Sequence, residues 1–151
     1  AENGASQIYG GSMKMPVCIC PNNFTLPITI SFWKKISPFI PPANIICCLL
    51  RKSSCGYIPD QRVAGLSKLA RTVEVYARRP QIQENMTAQI ADALEEHLQP
   101  KGVMVMIEAE HMCMTMRGVQ KPGSKTVTTI VRGAFAEDFS LQQTFLQMVK
   151  G

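Results

Sequence analysis

At 151 residues, with 46% hydrophobic and 18% charged residues, the chain has room for one domain with its own core and not for two. Its longest apolar stretches, such as Ile45–Leu50, fall far short of the ~20 residues that span a bilayer, so no membrane partner is expected. The net charge of +5 favours an anionic partner. No run of five Lys or Arg and no basic stretch interleaved with aromatics is present, so nucleic acid is not expected either.

The start, Ala1-Glu2-Asn3-Gly4, has neither a signal-peptide core nor a transit-peptide pattern, and a cytoplasmic protein is expected. It is not a Met, so the natural start is expected to lie upstream. Five of the six cysteines (Cys18, Cys20, Cys47, Cys48 and Cys55) precede Gly56, and only Cys113 follows it. An even count admits a disulfide framework, but the cysteine-poor remainder and the absence of a secretory signal favour reduced thiols.

Residues 1–55 carry no consistent periodicity. Ser37-Pro38-Phe39-Ile40-Pro41-Pro42 and Cys18-Ile19-Cys20-Pro21 interrupt every pattern, and local propensity disagrees with hydrophobic patterning. From Gln61 to Leu98 the pattern is helical. Leu66, Leu69, Ala70, Val73, Tyr76 and Ala77 recur at three- and four-residue steps, with Asp60 in position to cap. Pro80 separates this helix from a second, striped by Ile82, Met86, Ile90, Ala93, Leu94 and His97 and closed by Pro100 and Gly102. The two helices are expected to pack antiparallel.

After Gly102 the period becomes two. Val103, Val105 and Ile107 alternate with Met104, Met106 and Glu108, in a strand expected to reach about Met116. Gly118–Ser124 reads as a loop, the β-branched Thr126–Phe135 as the antiparallel partner strand, and Leu141–Val149 as a closing helix. The order predicts an α+β fold, with helices on one face of an antiparallel sheet.

Three segments hold the candidate chemistry. Ser67, Lys68 and Arg71 put a hydroxyl and two cations on neighbouring helical turns, able to face one polyanion or simply a solvated helix face. Gln83 and Glu84 set an amide beside a carboxylate that could accept the N–H donors of guanine, or could merely begin a surface helix. Glu108–Gly118 is the densest patch. On a strand His111, Cys113 and Arg117 would share one face, and His beside Cys suits a metal ligand next to a general acid/base. A core Cys and a satisfied strand His would give the same spacing. The methionines around them read as packing.

The strings GYIPD, GLSKLAR, ARRPQIQE, LQPKGV, EAEHMCMTMRGVQKPGSKTVT and GAF, in this order over 56–151, resemble the successive signature segments of GTP cyclohydrolase I. The resemblance implies a tunnelling fold (T-fold), with an antiparallel sheet and two antiparallel helices packed on one face, assembled as rings and a homodecamer. It implies zinc-dependent hydrolysis of GTP to 7,8-dihydroneopterin triphosphate and formate, the first step of tetrahydrofolate and pterin biosynthesis. Under it Cys113 is a zinc ligand and His111 the catalytic acid/base. Gln83 and Glu84 recognise guanine, and Ser67, Lys68, Arg71 and Arg117 lie at the triphosphate end. Residues 56–151 are then the C-terminal catalytic domain of the family.

The family draws its other two zinc ligands from a Cys-Glu-His-His motif, which counting back from Tyr57 should begin at Pro42 or Ala43. The chain reads Pro42-Ala43-Asn44-Ile45-Ile46-Cys47-Cys48 instead. Codons for Ile36–Leu49 can be written so that a start one nucleotide earlier yields Tyr-Ser-Thr-Cys-Glu-His-His-Met-Leu-Pro, with the motif in its expected place. Residues 1–55 are therefore expected to be an aberrant segment, frameshifted from about Phe32 at least, or poorly ordered. One zinc ligand is present and two are missing, which leaves an inactive GTP-binding or ring-assembly fragment as the alternative to a working enzyme.

Overall fold

The computed structural model describes residues 17–19, 28–36, 48–79, 81–115 and 120–150. Among the described residues six strands run in chain order as β1 (Val17–Ile19), β2 (Ile28–Ile36), β3 (Cys48–Ile58), β4 (Arg62–Ala64), β5 (Gly102–His111) and β6 (Thr126–Gly133). The helices are α1 (Leu66–Ala77), α2 (Gln83–Leu98), α3 (Met112–Thr115), α4 (Ala134–Glu137) and α5 (Phe139–Lys150). The main sheet has the antiparallel order β2-β3-β5-β6, and β1 pairs separately with β4. This is the expected α+β architecture built on an antiparallel sheet. The change in sequence character at Cys55 falls inside β3, which pairs with β5 from Cys48 opposite His111 to Ile58 opposite Gly102, with a register shift between Leu50 and Lys52.

The period-two pattern of β5 sorts its side chains between two cores. Val103, Val105 and Ile107 pack with Leu69 and Val73 of α1 and Met86, Ile90, Leu94 and Leu98 of α2. Met104 faces the other way, onto Phe135 of α4 and Phe145 and Val149 of α5, with Met106 packed alongside. The helix pair thus covers one face as expected, while the closing helix covers the opposite face. The Phe135 and Phe145 rings meet edge to face at 6.3 Å.

The helix pair is antiparallel, and its contacts show why. At one end of the sheet, Ala64 donates its backbone N–H to the Tyr57 hydroxyl just before α1 begins. Arg62 reaches the His97 carbonyl at the end of α2 from the same side. At the other end, α2 starts with Gln83 bonded to Ile107 and Thr126. Arg132 of β6 fastens the later turns of α2 through Asp92 and Glu95.

Four local expectations need correction. Asp60 does not cap α1: Gly65 stands at the N-cap without a side-chain cap, because 62–64 are extended as β4, and Asp60 pairs with Lys101 at 3.6 Å. Leu66, expected on the buried stripe, is 61% exposed. β6 ends at Gly133, where a positive φ of 58° turns the chain, so Phe135 is buried from α4 and not from a strand. The strand through Glu108–Glu110 stops at His111 rather than Met116. The described pairings of β5 end with Cys48 opposite His111 and Thr126 opposite Ala109, and Met112–Thr115 then form a helical turn. No described helix is long and apolar enough to cross a membrane.

Candidate functional site

The first residue of α2 is the centre of the site. Gln83 is polar yet only 1% exposed, because it enters the helix directly over β5 and β6. Its Nε2 shares two hydrogens among three acceptors, the Ile107 carbonyl at 3.0 Å, the Thr126 carbonyl at 3.1 Å and Thr128 Oγ1 at 3.1 Å. Its Oε1 lies 2.8 Å from His111 Nε2. Thr87, one turn along α2, donates its hydroxyl proton to the Gln83 carbonyl at 2.7 Å and meets Thr128 Oγ1 at 2.8 Å. With the Thr87 proton committed, Thr128 donates across that contact. Buried polar groups are stabilising only when satisfied in this way.

Glu84 follows Gln83 on the exposed side of the same first turn, where an acidic side chain also suits the helix dipole. His111 is half-buried at the end of β5, and Cys113 is exposed in α3. Because α3 is helical, the common strand face expected for His111 and Cys113 is not formed. Glu108, earlier on β5, pairs with Lys125 at 2.9 Å. Arg117 lies outside the described residues, as do Pro42–Cys47.

Gln83, Glu84, His111 and Cys113 therefore gather at one end of the helix pair. Ser67, Lys68 and Arg71 sit on the first turns of α1, toward the other end, ~9–15 Å along the helix from Ala77 at about 1.5 Å per residue. Ser67 and Arg71 are exposed and Lys68 half-exposed. Thr87, Thr126 and Thr128 escaped the sequence reading. The signal available for them was a helical i to i+4 step from Gln83 and the alternation of a β-branched strand, neither of which marks a site by itself.

The family model for GTP cyclohydrolase I matches residues 46–150. The chain belongs to the GTP cyclohydrolase I family. A GTP cyclohydrolase 1 of Gloeobacter violaceus is 62% identical over 112 residues, covering 74% of this chain and 48% of that protein. One from Thermobifida fusca is 60% identical over 98 residues, covering 64% of this chain and 47% of the relative. One from Clostridium perfringens is 49% identical over 128 residues, covering 85% and 66%, and so reaches well before Cys55. The chain spans about half to two thirds of the length of these GTP cyclohydrolase 1 proteins.

A zinc centre needs about three protein ligands and an open position. Among the described residues no group of three or more His, Cys, Asp or Glu is arranged to hold a metal. The sequence contains two histidines. His97 is on the last turn of α2 with Nδ1 on the Ala93 carbonyl, and His111 is engaged with Gln83. The described residues do not fit a zinc site.

Proposed function

We propose that this chain takes GTP and is built for the GTP cyclohydrolase I reaction, hydrolysis to 7,8-dihydroneopterin triphosphate and formate. The observation that supports this most is the 2.8 Å contact between His111 and Gln83, with Glu84 exposed beside it. In this reading the Glu84 carboxylate accepts the N–H donors of guanine, with Gln83 beside it. His111 moves a proton near the five-membered ring of the purine. Ser67, Lys68, Arg71 and Arg117 hold the triphosphate, where cations and a hydroxyl match its oxygens. The cations of α1 and the purine-reading end of α2 are brought to one ligand by a homo-oligomer, the ring and decamer of the resemblance, in the cytoplasm.

Zinc is the cofactor that the resemblance implies, with Cys113 as the one matching ligand. A second reading rests on the sequence at 42–48, which has no Cys-Glu-His-His: the chain binds GTP without turning it over, and 1–55 carries a frameshift. Calorimetric titration with GTP, followed by assay of formate and of bound zinc in the same sample, separates the two. Formate release with stoichiometric zinc supports the enzyme, and binding without formate supports the second reading. Absence of GTP binding overturns both.

A further inference from the structure

Three contacts converge on Tyr76, in the last turn of α1. Its carbonyl accepts the backbone N–H of Arg79 at 3.1 Å and an Nε2 hydrogen of Gln81 at 2.9 Å. Its ring carries the Arg79 guanidinium, whose central carbon lies 4.5 Å from the ring centroid. That is well inside the ~6 Å over which an aromatic face attracts a cation. Tyr76 is itself packed against the core between the helix pair and the sheet. The half-buried Arg79 keeps its Nε out of solvent, with no acceptor for it among the described residues, so stacking on Tyr76 is what holds this cation. Its neighbour Arg78 differs, pairing with Glu74 at 2.6 Å on the exposed side of α1.

The start of α2 lacks the usual device for fixing a helix end, since its N-cap Ile82 offers no side-chain hydrogen bond. Gln83 ties the inner side of this turn to the sheet, while Ile82 and Glu84 are exposed. From this geometry we infer that Tyr76 and Arg79 are positioning residues for the first turn of α2. The cation stacked on the ring, with the Gln81 bond beside it, holds Gln81 and Ile82 at the point where the helix begins. Glu84 is thereby presented from an ordered turn before any ligand arrives, and a turn already ordered costs less to bind. The benefit to guanine binding rests on the proposed function, but the docking of the turn on Tyr76 does not.

Hydrogen exchange of the full chain, followed residue by residue without ligand, tests the docking. The Met86 amide bonds to the Ile82 carbonyl at 3.1 Å, so its protection reports whether the first turn of α2 stays in place. Arg79→Met keeps an unbranched side chain and removes the cation. It should speed Met86 exchange by about 3–10-fold, the scale of one cation–π contact, and leave the amide of Ile90, buried in mid-helix, unchanged. Arg78→Met, which breaks only the exposed pair, should change neither amide. Parallel titrations with GTP and ATP read the consequence: Arg79→Met should lower the preference for GTP by a similar factor without altering ATP affinity. Unchanged Met86 exchange in Arg79→Met overturns the inference, and so does an equal rise at Ile90, which would mark general loosening. A GTP preference that the unmodified chain shows and Arg79→Met keeps in full also overturns it. If the unmodified chain shows no GTP preference, the proposed function fails, and Met86 exchange alone decides the docking.

Discussion

Ala64 gives its backbone N–H to the Tyr57 hydroxyl at 3.0 Å, and both residues are almost wholly buried. This bond joins the end of β3 to the start of α1 and so helps set where the helix pair begins. Tyr57→Phe keeps the ring and strands the buried N–H. Leaving such a donor unsatisfied costs about 1–3 kcal/mol. Chemical denaturation should show that loss as a lower midpoint at unchanged slope.

Gly133 has φ +58°, and a Cβ built there would lie 2.4 Å from the Lys101 carbonyl oxygen. The same carbonyl accepts the Ala134 N–H at 2.9 Å, so the backbones of β5 and α4 cannot separate without breaking that bond. Gly133→Ala combines left-handed strain with overpacking and should destabilise by about 2–4 kcal/mol. Thermal unfolding would check this, and a loss well below 1 kcal/mol would show that the junction yields.

Gln99 closes α2 in the left-handed conformation, with φ 47° and its N–H on the Glu95 carbonyl. A glycine adopts that conformation without a Cβ penalty. Gln99→Gly should therefore raise stability by about 0.5–1 kcal/mol, an effect visible in the same denaturation experiment.

Burial pushes the Cys55 thiol up to about 12, with the Ser53 hydroxyl opposing only weakly. The native thiol stays protonated at pH 8 and should resist iodoacetamide, while exposed Cys113 is alkylated. Peptide mapping by mass spectrometry reads both sites at once. Because the folded value lies above the unfolded one, this contribution to stability is complete below pH 9 and is lost as pH rises toward 12. Equal labelling of the two cysteines in native protein would contradict the buried assignment.

The helix pair and the β5–β6 hairpin were legible because their periods are long and undisturbed. Val103, Val105 and Ile107 could only face one way. The end of β5 was not legible, since His111, Cys113 and Arg117 alternate as well as any strand would. The helical turn that follows the described pairings with Cys48 and Thr126 is a tertiary fact. The motifs that carry the family resemblance named Gln83 and His111, but their contact joins residues 28 apart in sequence. The threonines that orient Gln83 carry no sequence mark of that task. The separation of Lys68 and Arg71 from Glu84 likewise follows from helix direction and not from the motif strings.

The central claim is a guanine-nucleotide site at the start of α2. Parallel calorimetric titrations of the chain with GTP and ATP test it most directly, with Glu84→Gln as the variant. A charge-assisted hydrogen bond is worth about 1.5–3 kcal/mol, or roughly 10–100-fold in affinity. GTP should bind more tightly than ATP by about that factor, and the difference should vanish in Glu84→Gln. Equal binding of the two nucleotides, or a GTP preference that survives the substitution, would contradict it.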